Sequence, residues 1–161
     1  MGWLDCHLHA FRLRDAATGR IIEIGIPDDE IAGDKAPDLP GWQIPIAPYF
    51  RAPGDRCDYE YDFGDGWEHE VVLERVSARE PKTRYPRCLD GARACPPEDC
   101  GGAGGYEEFL SAIGDPSHEE HARMLEWVGG RFDPAEFDPQ AVRFDDPRQR
   151  WEIAFLDGDQ S

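Results

Sequence analysis

Cys57-Asp-Tyr-Glu-Tyr61-Asp-Phe-Gly-Asp-Gly66-Trp-Glu-His-Glu-Val-Val-Leu73 is the stretch on which the fold reading turns. Its residues alternate, with Tyr59, Tyr61 and Phe63 on one side of an extended chain and Asp58, Glu60 and Asp62 on the other. Successive side chains of a strand point to opposite faces, so this is the pattern of a strand half covered by a core. Gly64-Asp-Gly66 supplies the permissive dihedrals of a tight turn. After it the alternation resumes, with Trp67, His69, Val71 and Leu73 on one face. Residues 57–76 are therefore predicted to form a β-hairpin, with His69 pointing the same way as Trp67.

Working outward, Cys6 to Arg14 alternates too, with His7, His9, Phe11 and Leu13 against Leu8 and Ala10. Apolar or aromatic groups on both faces suit a strand covered on both sides. Few other segments offer to pair with its outer edge, so that edge is expected to be open and prone to association. Arg20 to Ile26 reads as a second strand, ended by Pro27. In Asp28–Pro53, rich in Pro, Gly and Asp, Trp42, Ile44, Ile46, Tyr49 and Phe50 are expected to pin a long loop or short helix onto the core.

Toward the C-terminus, Pro81 to Gly105 is dense enough in Pro and Gly to be an ordered loop, and Tyr106 to Ile113 suits a short helix. Ser117 to Val128 carries stronger helix signals. Ser117 and Glu120 have capping-box spacing, Met124, Leu125 and Val128 recur helically, and Gly129-Gly130 is a stop. Asp133-Pro134 and Asp138-Pro139 each read as an N-cap before a first-turn proline. Trp151 to Leu156 is expected as a strand or docking tail, and residues 157–161 as a disordered tail.

The 161 residues suit a single domain, and the formal charge is −17 with only two lysines, Lys35 and Lys82. Such a field repels phosphate backbones, so direct nucleic-acid binding is not expected. It suits cations or a basic protein partner, although a solvated surface explains most of it. The five cysteines are odd in number, no signal peptide is evident, and no apolar run nears the ~20 residues that span a bilayer. A cytoplasmic protein with reduced thiols and no membrane partner is the expectation.

Several motifs carry chemistry. Asp62-Phe-Gly64 imitates a kinase magnesium motif, but the catalytic loop, Gly-rich loop and strand lysine that motif requires are lacking. Cys88, Cys95 and Cys100 are separated by six and four residues, looser than zinc knuckles, with His69, His118 or His121 as a further ligand. His118 and His121 would share one helical face. Small buried thiols in a tight loop are the alternative. Glu98 and Asp99 could act as an acid/base pair, ligate metal, or accept backbone N–H groups, the last being the commoner use. Serine is scarce and sits in no nucleophile elbow.

These residues resemble the plasmid pRiA4b ORF-three-like family, also known as insertion-element passenger TnpR family proteins. The matching positions are Gly2-Trp3, His7-Leu-His-Ala-Phe11, Tyr59 through His69, Tyr85-Pro-Arg-Cys88, Gly91, Pro96-Pro-Glu-Asp99, Gly101-Gly102 and Gly105-Tyr106. They continue with His121, Trp127, Gly130, Phe132-Asp-Pro134 and Phe137-Asp138. The resemblance implies an α+β fold, a mixed or antiparallel sheet with a hairpin and with C-terminal helices packed on it. It also implies that a β-β-α unit of some forty residues, usual at the start of the family, is absent here (element lengths of roughly ordinary size). The TnpR label suggests a resolvase, but a serine-poor acidic chain offers neither the nucleophile nor the basic region of one.

The leading expectation is a small binding module. Asp62, Asp65, Trp67, Glu98 and Asp99 are its candidate ligand contacts, and His69, Cys88, Cys95 and His121 its candidate metal ligands, with zinc the first divalent metal to try. A metal-assisted hydrolase using the same carboxylates is the enzymatic alternative. A structural or interaction domain, with the motif as a folding signature, is the third.

Overall fold

A computed structural model describes residues 2–15, 18–26, 39–146 and 149. Pro27, the stretch 28–38, Trp151–Leu156 and the tail 157–161 lie outside the described residues. The chain forms two compact units. The first spans His7–Thr83, and the second joins the residues up to Cys6 with Arg84–Asp146.

The first unit is a five-stranded mixed sheet. Its strands are β1 (His9–Arg14), β2 (Ile21–Gly25), β3 (Leu39–Pro40), β4 (Arg56–Tyr61) and β5 (Trp67–Val72), in spatial order β3-β2-β1-β4-β5. Only the β2–β3 pair is parallel. The predicted hairpin is β4–β5, and its register sets Tyr61 opposite Trp67 and Tyr59 opposite His69. Opposed residues share a face, so Trp67 and His69 do lie on one side of the sheet.

The open edge expected for the first strand is not there. β1 sits in the middle of the sheet, antiparallel to β2 on one side and to β4 on the other. Ala10 is fully buried, and Leu13, Ile24 and Cys57 form the core cluster. Ile44, Tyr49 and Phe50 pack against that cluster as expected, after a 3-10 turn at Gly41–Gln43. Trp42 and Ile46 do not join it and stay largely exposed.

The second unit carries α1 (Gly102–Gly114) and α2 (His121–Trp127). Helix α1 begins four residues before the predicted start, with glycines in its first turns and Gly101 in the left-handed region at its N-cap. The low helix propensity of glycine yields here to packing. Tyr106, Phe109, Trp127 and Phe132 form an aromatic cluster around Phe109, with ring centroids 5.2–6.3 Å apart.

Three predicted caps resolve differently. Helix α2 starts at His121 rather than Ser117, and the Ser117–Glu120 capping box does not form. Ser117 instead donates both its N–H (2.8 Å) and its hydroxyl (2.7 Å) to Asp115 Oδ1. His118 therefore lies in the preceding turn and does not share a helical face with His121. Asp133 and Asp138 each accept the N–H two residues on, from Ala135 (2.9 Å) and Gln140 (2.8 Å). These are Asx turns that close single turns and start no helix.

Candidate functional site

In the first unit the polar centre is the turn between β4 and β5. Asp62 takes a left-handed φ of 55°, while Gly66 is the turn's positive-φ glycine at 67°. Its backbone is held on both sides, Asp62 N–H donating to Leu8 O (2.9 Å) and Gly66 N–H to Asp62 O (2.6 Å). The side chain folds back into the turn, where Oδ1 accepts the N–H groups of Gly64 (2.9 Å) and Asp65 (3.3 Å). At 9% exposure this is the buried carboxylate of the described residues. A buried carboxylate without partners would be costly, and the turn amides offset that cost. Its other oxygen, Oδ2, lies 3.8 Å from His7 Nε2. His7 in turn meets Tyr61 edge-on, with ring centroids 5.9 Å apart.

His69 stands further along the hairpin. Its Nδ1 lies 3.2 Å from Tyr59 O. A carbonyl only accepts, so His69 is the donor in that contact. Its ring faces Tyr59 at 5.5 Å, and Tyr59 packs on Phe11 at 4.6 Å. The opposite sheet face is charged. Register sets Asp58 against Glu70 and Glu60 against Glu68, like charges directly opposed. Arg12 offsets them, with its guanidinium between Glu23 (2.7 Å) and Glu60 (2.6 Å), and Arg56 bonds Glu70 (2.8 Å).

The second unit puts several predicted site residues to backbone work. Glu98 Oε1 accepts Leu4 N–H at 2.5 Å, and the Trp3 indole N–H donates to Pro96 O at 3.0 Å. Burial pushes the Cys95 thiol up, against the pull of the Gly2 and Trp3 N–H groups directed at its sulfur. The proline loop thus clasps the chain's first residues. Cys88 donates to Asp90 O (3.3 Å). His121 Nδ1 lies 2.9 Å from Ala112 O and closes one of the carbonyls left open at the end of α1. Asp99 is exposed with a φ of 56°.

Within this unit, among the described residues, Cys88, Cys95 and His121 belong to no group of three ligand atoms lying within 4.8 Å of one another. In the first unit His7, not selected by sequence, is the residue that stands beside Asp62. The signal for it was the His-Leu-His run opening a strand. Nothing in a linear reading says that this opening lies beside a turn some fifty-five residues later.

The family model described as Plasmid pRiA4b ORF-3-like protein matches residues 1–141. The uncharacterized protein y4hQ of Sinorhizobium fredii is 39% identical over 145 residues, which are 89% of this chain and 68% of that protein. A crystal structure of a protein of unknown function from Methanosarcina mazei Go1 superposes with a TM-score of 0.75 at 39% identity, covering 89% of this chain and 77% of that one. Among the described residues no helix is long and apolar enough to cross a membrane.

Proposed function

This chain belongs to the plasmid pRiA4b ORF-3-like family, and we propose that it is a small binding module that takes a divalent cation at the His7–Asp62 pair. The observation that carries this reading is the buried Asp62 carboxylate, one oxygen spent on turn amides and the other 3.8 Å from His7 Nε2. That gap is too long for a hydrogen bond. Two coordination bonds of about 2.0–2.2 Å span it, and an imidazole with a carboxylate suits zinc first. Turn amides that fix the carboxylate are the kind of outer support that metal-ligating carboxylates use.

The test is titration calorimetry with zinc and with manganese on protein purified without a metal-affinity tag. One equivalent of cation is expected, with affinity falling at least about tenfold, or 1.4 kcal/mol, in both His7→Gln and Asp62→Asn. Asparagine keeps an oxygen for the turn amides, so the second variant isolates the charge. Absence of binding, or unchanged affinity in both variants, would sink the reading.

A purely structural domain is the second reading, favoured by the backbone duties of Glu98, Cys95 and His121. Glu98→Ala is expected to lower stability by about 1 kcal/mol through loss of one charge-assisted hydrogen bond, with cation affinity unchanged. Thermal unfolding alongside the same titration reads both. A variant that keeps its melting temperature would remove this structural role from Glu98.

A further inference from the structure

We infer that the outer edge of β5 takes up an extended segment of a partner protein, paired antiparallel and alternating basic with apolar side chains. Among the described residues β5 stands last in the sheet, with β4 as its one neighbour. Its hydrogen-bonding parity is fixed from both sides. Leu73 N–H donates to Asp55 O (2.8 Å) just beyond the paired residues, and on the far side of β4 Asp62 N–H donates to Leu8 O. Bonded pairs alternate along an antiparallel ladder, so Trp67, His69 and Val71 direct their backbone groups to β4. Glu68, Glu70 and Val72 turn theirs outward, a row of N–H and C=O groups that an added strand can bond. The strand is six residues long and holds no proline, lysine or bulge to blunt that edge.

Side chains decide what is paired. Asp58, Glu60, Glu68 and Glu70 share one sheet face and, with Arg12, line a half-open cavity of about 350 Å³ over β1, β4 and β5. Arg12 is held between Glu23 and Glu60, and Glu70 is held by Arg56. Among the described residues Asp58 and Glu68 enter no ion pair. A lysine or arginine on a strand beside β5 extends its alkyl stem over this face and brings its charge to those two carboxylates.

The other face offers Trp67 and Val71, both half-buried, with Val71 packed on the core cluster. Successive side chains of the added strand alternate between the faces, so apolar residues must alternate with the basic ones. A second copy of this chain is a poor occupant. Pairing β5 with β5 would oppose glutamates with glutamates, and like charges directly opposite are destabilising.

The experiment uses the full chain at low ionic strength with chelator present, so its outcome is separate from cation binding at the His7–Asp62 pair. A capped seven-residue peptide alternating lysine and valine is titrated while the backbone amides are followed by NMR. Its controls are the glutamate–valine peptide and the lysine–valine peptide N-methylated at its lysine amides, which keeps the charge and removes the donors facing β5. Saturable shifts at Glu68, Glu70 and Val72 are expected, at least about tenfold tighter than with either control and weakened several-fold in Glu68→Gln. Glu68 is exposed, so this variant keeps the fold. Equal binding of the N-methylated peptide would reduce the effect to bulk charge and overturn the assignment. So would equal binding of the glutamate peptide, indifference to Glu68→Gln, or a dimer of this chain whose contact runs through β5.

Discussion

Gly105→Ala is expected to lower unfolding stability by about 3 kcal/mol, while Gly104→Ala, one residue earlier, raises it by about 0.5–1 kcal/mol. Both glycines lie in the first turns of α1. A Cβ at Gly105 would stand 1.9 Å from Cys100 O and 2.9 Å from its carbonyl carbon. The obstacle is backbone, so no rotamer change relieves it, and the loop from Cys95 to Gly101 must move or the helix must restart. Gly104 has nothing within 4 Å of its virtual Cβ and no left-handed φ. There the substitution only reduces the freedom of the unfolded chain. Urea unfolding of the two variants measures the contrast. Effects of the same sign would show that the Cys100 carbonyl does not set the start of α1.

Tyr61→Ala is the second large effect, a loss of about 3–5 kcal/mol, as for other buried aromatics cut to alanine. Tyr61 is 1% exposed and is the largest fully buried side chain among the described residues. It lies opposite His9 of β1 and Trp67 of β5, so its ring is walled from both neighbouring strands. It also directly precedes Asp62, and the vacated space adjoins His7. Against a total of about 5–15 kcal/mol for a domain, that loss removes a large share. Tyr59→Ala, at a half-buried position of the same strand, is expected to cost less. Thermal unfolding of the pair gives the order, and a smaller loss for Tyr61 than for Tyr59 would contradict this account of the core.

The hairpin was legible because strand alternation is local: each side chain's face follows from its neighbours, so Trp67 and His69 could be set together from the sequence alone. The Tyr59–His69 and Pro96–Asp99 motifs carry the family resemblance, and the α+β class is what that resemblance implies. Pairing partners are not local. Alternation alone leaves β1 with an open edge, yet β2 and β4, the latter over forty residues on, close it from both sides.

Caps failed for a related reason. Ser117–Glu120 has the spacing of a box, but Asp115 competes for Ser117 at shorter reach, and spacing does not record competition. Local pattern is enough to say which residues alternate, which turn, and which family they resemble. Tertiary structure alone decided that His7 would stand at Asp62, that His121 would close α1, and that Glu98 would hold Leu4. His7 and Asp62, and Glu98 and Leu4, are distant along the chain, while His121 reaches Ala112 only because the turn between the helices folds back; packing brings each pair within hydrogen-bond or ligand range.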